Sequence, residues 1–201
     1  MKKSGRPPKS PHSIDSKQKI IDATIRIIET CGAEAVTVRN VCEKSGVSTG
    51  TFYHYFHNKD DLLMYFVREA PLYQDNEITI SNNPVDDVTD LYMRLIHLYQ
   101  DLGINFMKNF YNTANQALSA YMGQTGKEFS SGTIMFLCEK RLELAQKQNH
   151  LRTDIDIHTI SEDICTIVKG CVFEWCLCDG NMDIKETLHR ILQRYFYNIL
   201  S

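Results

Sequence analysis

The stretch "TVRNVCEKSGVSTGTFYHYFHNKDDL", residues 37–62, sets a glycine between two short amphipathic runs, then crowds Tyr53, His54, Tyr55, Phe56 and His57 together near a lysine. Thr37 reads as the N-cap of a first short helix that Gly46 closes, and Ser48 as the N-cap of a second that runs to about Tyr55. Two helices of this size about a glycine-bearing turn have the dimensions of a helix-turn-helix. In that motif the second helix enters the DNA major groove while the first crosses the backbone. The second helix here opens Ser-Thr-Gly-Thr, so no bulky side chain stands over its first turn. Thr49 and Thr51 carry hydroxyls suited to bases or phosphates and methyls suited to a thymine methyl.

The aromatic cluster divides by helical spacing. Phe52 and Phe56, four apart, share a face toward a core, and Tyr55 lies near it. Tyr53 falls elsewhere, beside His54 and His57, where a phenol and imidazoles are donors for phosphate oxygens. Asn58 caps a further helix with Asp60 and Asp61 in its first turn, and Lys59 adds a cation beside that turn's free N–H groups. Apolar residues from Leu62 carry this helix toward Pro71, a proline that kinks or ends it.

Upstream, the spacing predicts a helix from Asp15, with Ile20, Ala23, Ile27, Ile28 and Cys31 on a broad apolar face and Gly32 as its stop. Residues 1–13, "MKKSGRPPKSPHS", have no apolar periodicity and read as a disordered basic arm. Their Gly-Arg-Pro is similar to the core of an AT-hook, which would lay Arg6 in a narrow A·T-rich minor groove; a solvated charged tail is the alternative. Either way Lys2, Lys3, Arg6 and Lys9 add affinity for a polyanion without sequence preference.

Charge follows the same division. Residues 1–60 hold ten Lys and Arg against six Asp and Glu; the remainder hold twelve against nineteen, within an overall −3. A polyanion-binding head on a more acidic second domain fits that asymmetry. No apolar run approaches the ~20 residues of a membrane span, and no hydrophobic segment follows the basic start as in a signal peptide, so the expected location is the cytoplasm, away from membranes. The seven cysteines form no CxxC and read as small buried hydrophobes, with Cys176 and Cys178 the outsiders for redox or metal chemistry.

Beyond residue 80 the pattern is again helical. Asn83-Pro84 is an N-cap followed by proline at the first helical position, and the stripe Leu91, Leu95, Leu98, Leu102 runs to a break at Gly103. Helices are expected over 104–121, 127–148 and 156–178, and Asp183 with Glu186 opens a last one. The fold class expected is all-α: a small helical head over about 14–62, a linking helix over 58–75, and a helical bundle over 76–201.

Residues 37–62 with the helix before them resemble the DNA-binding domain of the TetR family of bacterial transcriptional regulators. Gly32, Thr37, Arg39, Gly46, Val47, Ser48 and Gly50 match its spacing, followed by Tyr53, Phe56, Lys59 and Leu62. One departure is Asn40-Val41-Cys42, where family members usually carry an Ile-Ala pair; Asn40 should face solvent while Val41 and Cys42 stay in the core. The resemblance implies phosphate contacts at Thr37, Tyr53 and Lys59, with His54 a neighbouring one. It places Ser48, Thr49, Gly50 and Thr51 at the groove of a double-stranded operator.

It further implies a ligand-binding and dimerisation domain beyond about residue 75, whose last two helices pair with those of a second copy. Ile164, Val168, Cys171, Val172, Trp175, Leu188, Ile191 and Tyr195 are the candidates for that homodimer interface, Trp175 as its aromatic anchor. A pocket for a small-molecule inducer would draw on Tyr92, Tyr99, Phe106, Phe110, Phe136 and Trp175, with Arg94 or His97 for polarity and Tyr111 and Met122 beside them. Core packing is the competing reading for each of these rings.

Enzymatic chemistry finds no support. His54 and His57 are spaced like helical metal ligands but lack a third, and no P-loop, GxGxxG or HExxH occurs. No cofactor or metal is expected. The reading is a repressor released from a pseudo-palindromic operator by an inducer; the rival is a nucleoid-associated or division-control DNA-binding protein of the same fold without one.

Overall fold

The computed structural model describes residues 11–68, 83–111, 114–123, 126 and 128–200. Every regular element among them is helical, apart from an isolated antiparallel bridge between Leu151 and Leu200. The chain divides into two compact units, residues 1–62 and 63–201.

In the first unit α1 (Pro11–Cys31) packs on α2 (Val38–Ser45) and α3 (Thr49–Tyr55). Ile20, Ala23 and Ile27 of α1 meet the core that Val41 and Phe52 bring from the other two, and all five are sealed from solvent. The hydroxyl of Thr24, also buried on α1, donates to the Ile20 carbonyl at 2.8 Å, so no polar group is stranded there. α4 (Lys59–Arg68) begins in this unit and continues past its boundary. Sequence periodicity starts α1 at Asp15, but the helix begins at Pro11. Proline is tolerated in a first turn because its missing N–H would have no partner there, so residues 11–13, read from sequence as arm, belong to α1. Residues 1–10, Arg6 among them, lie outside the described residues, as does Pro71.

The second unit contains α5 (Pro84–Leu102), α6 (Ile104–Phe110), α7 (Gln116–Met122), α8 (Ile134–Lys147), α9 (Ile157–Leu177) and α10 (Ile184–Phe196). α5 packs on α6, α8 and α10, and α9 on α6, α8 and α10, so α5 and α9 form the middle of the bundle. Side chains of Asn83, Asp156 and Asp183 each accept a backbone N–H at a helix start. Two expected helices are shorter than their periodicity suggests. The span 104–121 splits because Asn115 donates to the Phe110 carbonyl at 3.0 Å and accepts from the Leu118 N–H at 3.1 Å, which ends one helix and caps the next. The span 127–148 becomes helical only at Ile134, after Thr133 caps it through the Phe136 N–H. Small polar residues that bond to nearby backbone compete with the helix, and here they win.

Candidate nucleic-acid interface and ligand cleft

In the head, each short helix is fixed at its start by one hydroxyl. Thr37 Oγ1 accepts the Asn40 N–H at 3.1 Å, and Ser48 Oγ accepts the Thr51 N–H at 3.1 Å. Between them Gly46 adopts φ +70°, a left-handed conformation that glycine adopts at little cost, and its N–H closes α2 onto the Cys42 carbonyl. Asn40 faces solvent and donates to the Ala35 carbonyl at 2.9 Å, while Val41 and Cys42 are buried. The departure from the family's usual pair therefore keeps both core positions.

α3 then has two distinct sides. Phe52 and Phe56 are buried with ring centroids 5.8 Å apart, and Tyr53 is 56% exposed. Thr49, Gly50 and His54 are exposed with it. Thr51 is half-buried, and its hydroxyl lies 2.9 Å from Ser48 Oγ, so it is engaged within the turn. At the start of α4, Asn58 Oδ1 accepts the Asp61 N–H at 2.8 Å and Asp61 Oδ2 accepts the His57 N–H at 3.0 Å. This reciprocal pair rigidifies the turn that carries Lys59. The Lys59 ammonium is half-exposed and 3.9 Å from Asp60, a separation at which a surface pair holds it weakly. The residues singled out from sequence thus sit on the outside of the head: Thr37, Ser48, Thr49, Gly50, Tyr53, His54 and Lys59, with Thr51 partly withdrawn.

The second unit treats its candidates differently. Tyr92, Tyr99, Phe106, Phe110 and Trp175 are buried in the bundle. Arg94 and His97 point outward from α5, and Phe136 is half-buried under the Lys140 ammonium, 5.4 Å from its ring centre. The Tyr92 phenol lies among thiols; burial raises its ionisation well above the ordinary range, and the same burial pushes Cys138 up to about 12. A cleft of about 770 Å³ opens instead on the side of α9 that faces α6 and α7. Tyr111, Leu118 and Met122 form one wall with Ser119 and Gly123, and Lys169, Gly170 and Phe173 the other, with Lys108 also at its edge. Of the ligand candidates only Tyr111 and Met122 line it. An aromatic criterion selects core rings. The signal in the sequence was Lys169, the one charge in the apolar run from Ile164 to Phe173 of α9.

Most of the proposed interface residues are likewise turned inward. Ile164, Val168, Val172, Trp175 and Leu188 are buried within their own unit, and Cys171, though only 4% exposed, lines a groove on its surface. Ile191 and Tyr195 are half-buried, and the Tyr195 hydroxyl donates to Asp163 at 2.6 Å within the chain. The apolar positions that α9 leaves outward recur three and four apart: Ile167, Gly170, Phe173 and Leu177. A groove beside them is lined by Thr166, Ile167, Gly170, Cys171 and Glu174 of α9 and by Thr187 and Ile191 of α10.

Among the described residues no helix is long and apolar enough to cross a membrane. Nor do three or more His, Cys, Asp or Glu side chains there converge as a metal site.

Comparison with known proteins separates the two units. Residues 20–65 match the family model of bacterial regulatory proteins, tetR family. The HTH-type transcriptional regulator BetI of Burkholderia thailandensis is 40% identical over 47 residues, which cover 23% of this chain and 24% of that protein. The match therefore spans about a quarter of the relative's length. Whole-chain likeness comes from solved structures. Thermus thermophilus FadR, a TetR-family transcriptional repressor in complex with lauroyl-CoA, has a TM-score of 0.52 at 17% identity, over 88% of this chain and 91% of that one. SmeT, the repressor of the Stenotrophomonas maltophilia multidrug efflux pump SmeDEF, has a TM-score of 0.55 at 18% identity, over 93% of each. Residues 20–65 thus carry the TetR-family helix-turn-helix pattern, and the chain as a whole shares the all-helical fold of those solved structures.

Proposed function

We propose that this chain is a cytoplasmic, homodimeric transcriptional repressor that a small molecule releases from its operator. The observation that carries the reading is the division of α3. A buried aromatic pair anchors the helix, and Thr49, Gly50, Tyr53 and His54 are left outward beside the capped turn that holds Lys59. Thr49 and Gly50 meet base edges, while Thr37, Tyr53, His54 and Lys59 hold phosphates. A second copy joins through the outward face of α9 and α10, at Ile167, Gly170, Leu177 and Ile191. Two related heads then read two half-sites of a pseudo-palindrome.

The cleft in the second unit favours a ligand-responsive regulator over a nucleoid-associated or division-control protein, which has no use for it. Ligand works by binding better to a conformation whose heads are wrongly spaced, since equal affinity for both states shifts nothing. The FadR relative bound to lauroyl-CoA is a regulator whose fold accommodates such a ligand. Mapping of genomic binding sites tests the reading. One or a few promoter sites, vacated on addition of an effector, are the expected result; dozens of scattered sites that no effector clears would support the rival.

A further inference from the structure

We propose that the cleft between α9 and the α6–α7 pair binds an amphipathic anion: a linear alkyl or acyl chain that ends in one negatively charged group. The proposal rests on the reading of this chain as a ligand-responsive regulator and gives that ligand its chemical class and its seat.

Size and lining set the class. A volume of about 770 Å³ suits a small organic ligand and is far more than an ion or a few waters require. Leu118, Met122 and Phe173 supply the apolar surface, and no carboxylate side chain lines the cleft. Phe173 is 53% exposed, an unusual state for a large ring on a helix whose other aromatic is buried. A ligand chain laid against it would remove that surface from water.

The charges separate into one that is satisfied and one that is not. Lys108 pairs with Asp179, so its charge is met within the protein. Lys169 makes no hydrogen bond or ion pair among the described residues, yet it sits half-buried in the cleft wall on an otherwise apolar stretch of α9. A partly desolvated ammonium gains most from a fixed anion. Across from it, Tyr111 lines the cleft with its ring, while its hydroxyl is turned inward and sealed from solvent. One unpaired lysine beside an apolar floor selects an anionic head on a chain. A neutral or cationic amphiphile would leave Lys169 unmatched.

The test uses the full-length chain and titration calorimetry below the micellar range of each probe. Dodecanoate should bind. Dodecanol and dodecyltrimethylammonium, with the same chain but neutral or positive heads, should bind at least about tenfold more weakly, and acetate should not register. Lys169→Gln should lower dodecanoate affinity about tenfold and leave dodecanol unchanged, while Lys169→Arg retains most of it. Phe173→Ser, at an exposed position that folding does not need, should weaken both dodecanoate and dodecanol. Equal binding of the three long-chain probes, no binding of dodecanoate, or a Lys169→Gln variant that binds it as the wild type does would each overturn the site. Operator titration in parallel separates this from the regulatory reading. Dodecanoate that binds through Lys169 but leaves operator affinity unchanged keeps the site and removes its role as inducer. Dodecanoate that releases operator equally from wild type and Lys169→Gln removes the site and keeps the role.

Discussion

Phe52 and Tyr53 are adjacent on α3 and opposite in exposure: the first is sealed at 0% and the second is 56% exposed, their rings edge-on with centroids 5.5 Å apart. Stability and DNA affinity should therefore separate at neighbouring positions. Phe52→Ala should destabilise the head by about 3–5 kcal/mol, the range for truncating a buried phenylalanine. Tyr53→Phe should leave the melting temperature unchanged and weaken DNA binding, because it removes one phosphate donor and no packing. Thermal melts and DNA titrations of both variants check this. A Tyr53→Phe protein that melted early but bound normally would place the phenol in the fold.

The capped turn at Asn58 and the start of α3 make a second separation. Lys59→Ala should weaken operator and scrambled duplex by similar factors and flatten the salt dependence by about one unit of slope. Thr49→Ala should lose operator affinity selectively, by roughly 1–3 kcal/mol. Thr51 gives a less clean test than Thr49, because its hydroxyl is bonded to Ser48 and its loss also disturbs the cap. Titration of each variant against both duplexes at several salt concentrations decides between the roles. Loss of specificity from Lys59→Ala with uniform weakening from Thr49→Ala would exchange them.

The head was legible from its sequence because each of its signals is local. The caps at Thr37, Ser48 and Asn58, the left-handed Gly46 and the spacing of Phe52 from Phe56 act within a few residues. In the second unit the same local signals hold at Asn83 and Asp183, but the use of each face depends on partners far along the chain. α9 is apolar on most sides, and periodicity alone does not say which side its own bundle takes. The bundle takes the side of Ile164, Val168 and Trp175, the richest in large residues, and leaves Ile167 and Leu177 outside. The cleft was hidden for a related reason. It depends on where α7 ends and on the break at Asn115, which a continuous apolar pattern over 104–121 conceals.

That outward face supplies a prediction about assembly. Leu177 is 61% exposed and Cys171 only 4%. Leu177→Asp should leave the protomer folded and shift sedimentation from dimer to monomer. Cys171→Asp should unfold the bundle before any question of assembly arises, because it buries an unpaired charge. Gly170 lies in this face, and a Cβ added there would meet no atom within 4 Å. Gly170→Ala should then stabilise α9 by about 0.5–1 kcal/mol in the isolated protomer, the usual gain for alanine over glycine in a helix. A dimer that survives Leu177→Asp intact would move the interface off this face.

The last prediction concerns pH and a clamp on α9. His158 Nδ1 lies 2.9 Å from Glu139 on α8, and its Nε2 lies 3.8 Å from Glu162 one turn along its own helix. Glu162 also accepts the Gly126 N–H, and the Phe129 ring packs 4.8 Å from the imidazole, so the clamp gathers α8, α9 and the segment before α8. The hydrogen bond to Glu139 is the main cause that raises the His158 pKa above its ordinary 6.5; the charges of Glu139, Glu162 and Asp156 add to it, and partial desolvation opposes it. A raised value means that the folded protein holds this proton more tightly than the unfolded chain does. The stabilisation is therefore complete below the ordinary histidine value and is lost as pH rises through the raised one. Melting temperatures of wild type and His158→Gln, taken from about pH 5 to about pH 9, isolate the effect because the other titrating groups are common to both. The wild-type advantage should be largest at the acidic end and close as the pH climbs past the histidine range. A gap that widened toward alkaline pH would mean that the neutral imidazole makes the stabilising contact, and the sign assigned to the clamp would be reversed.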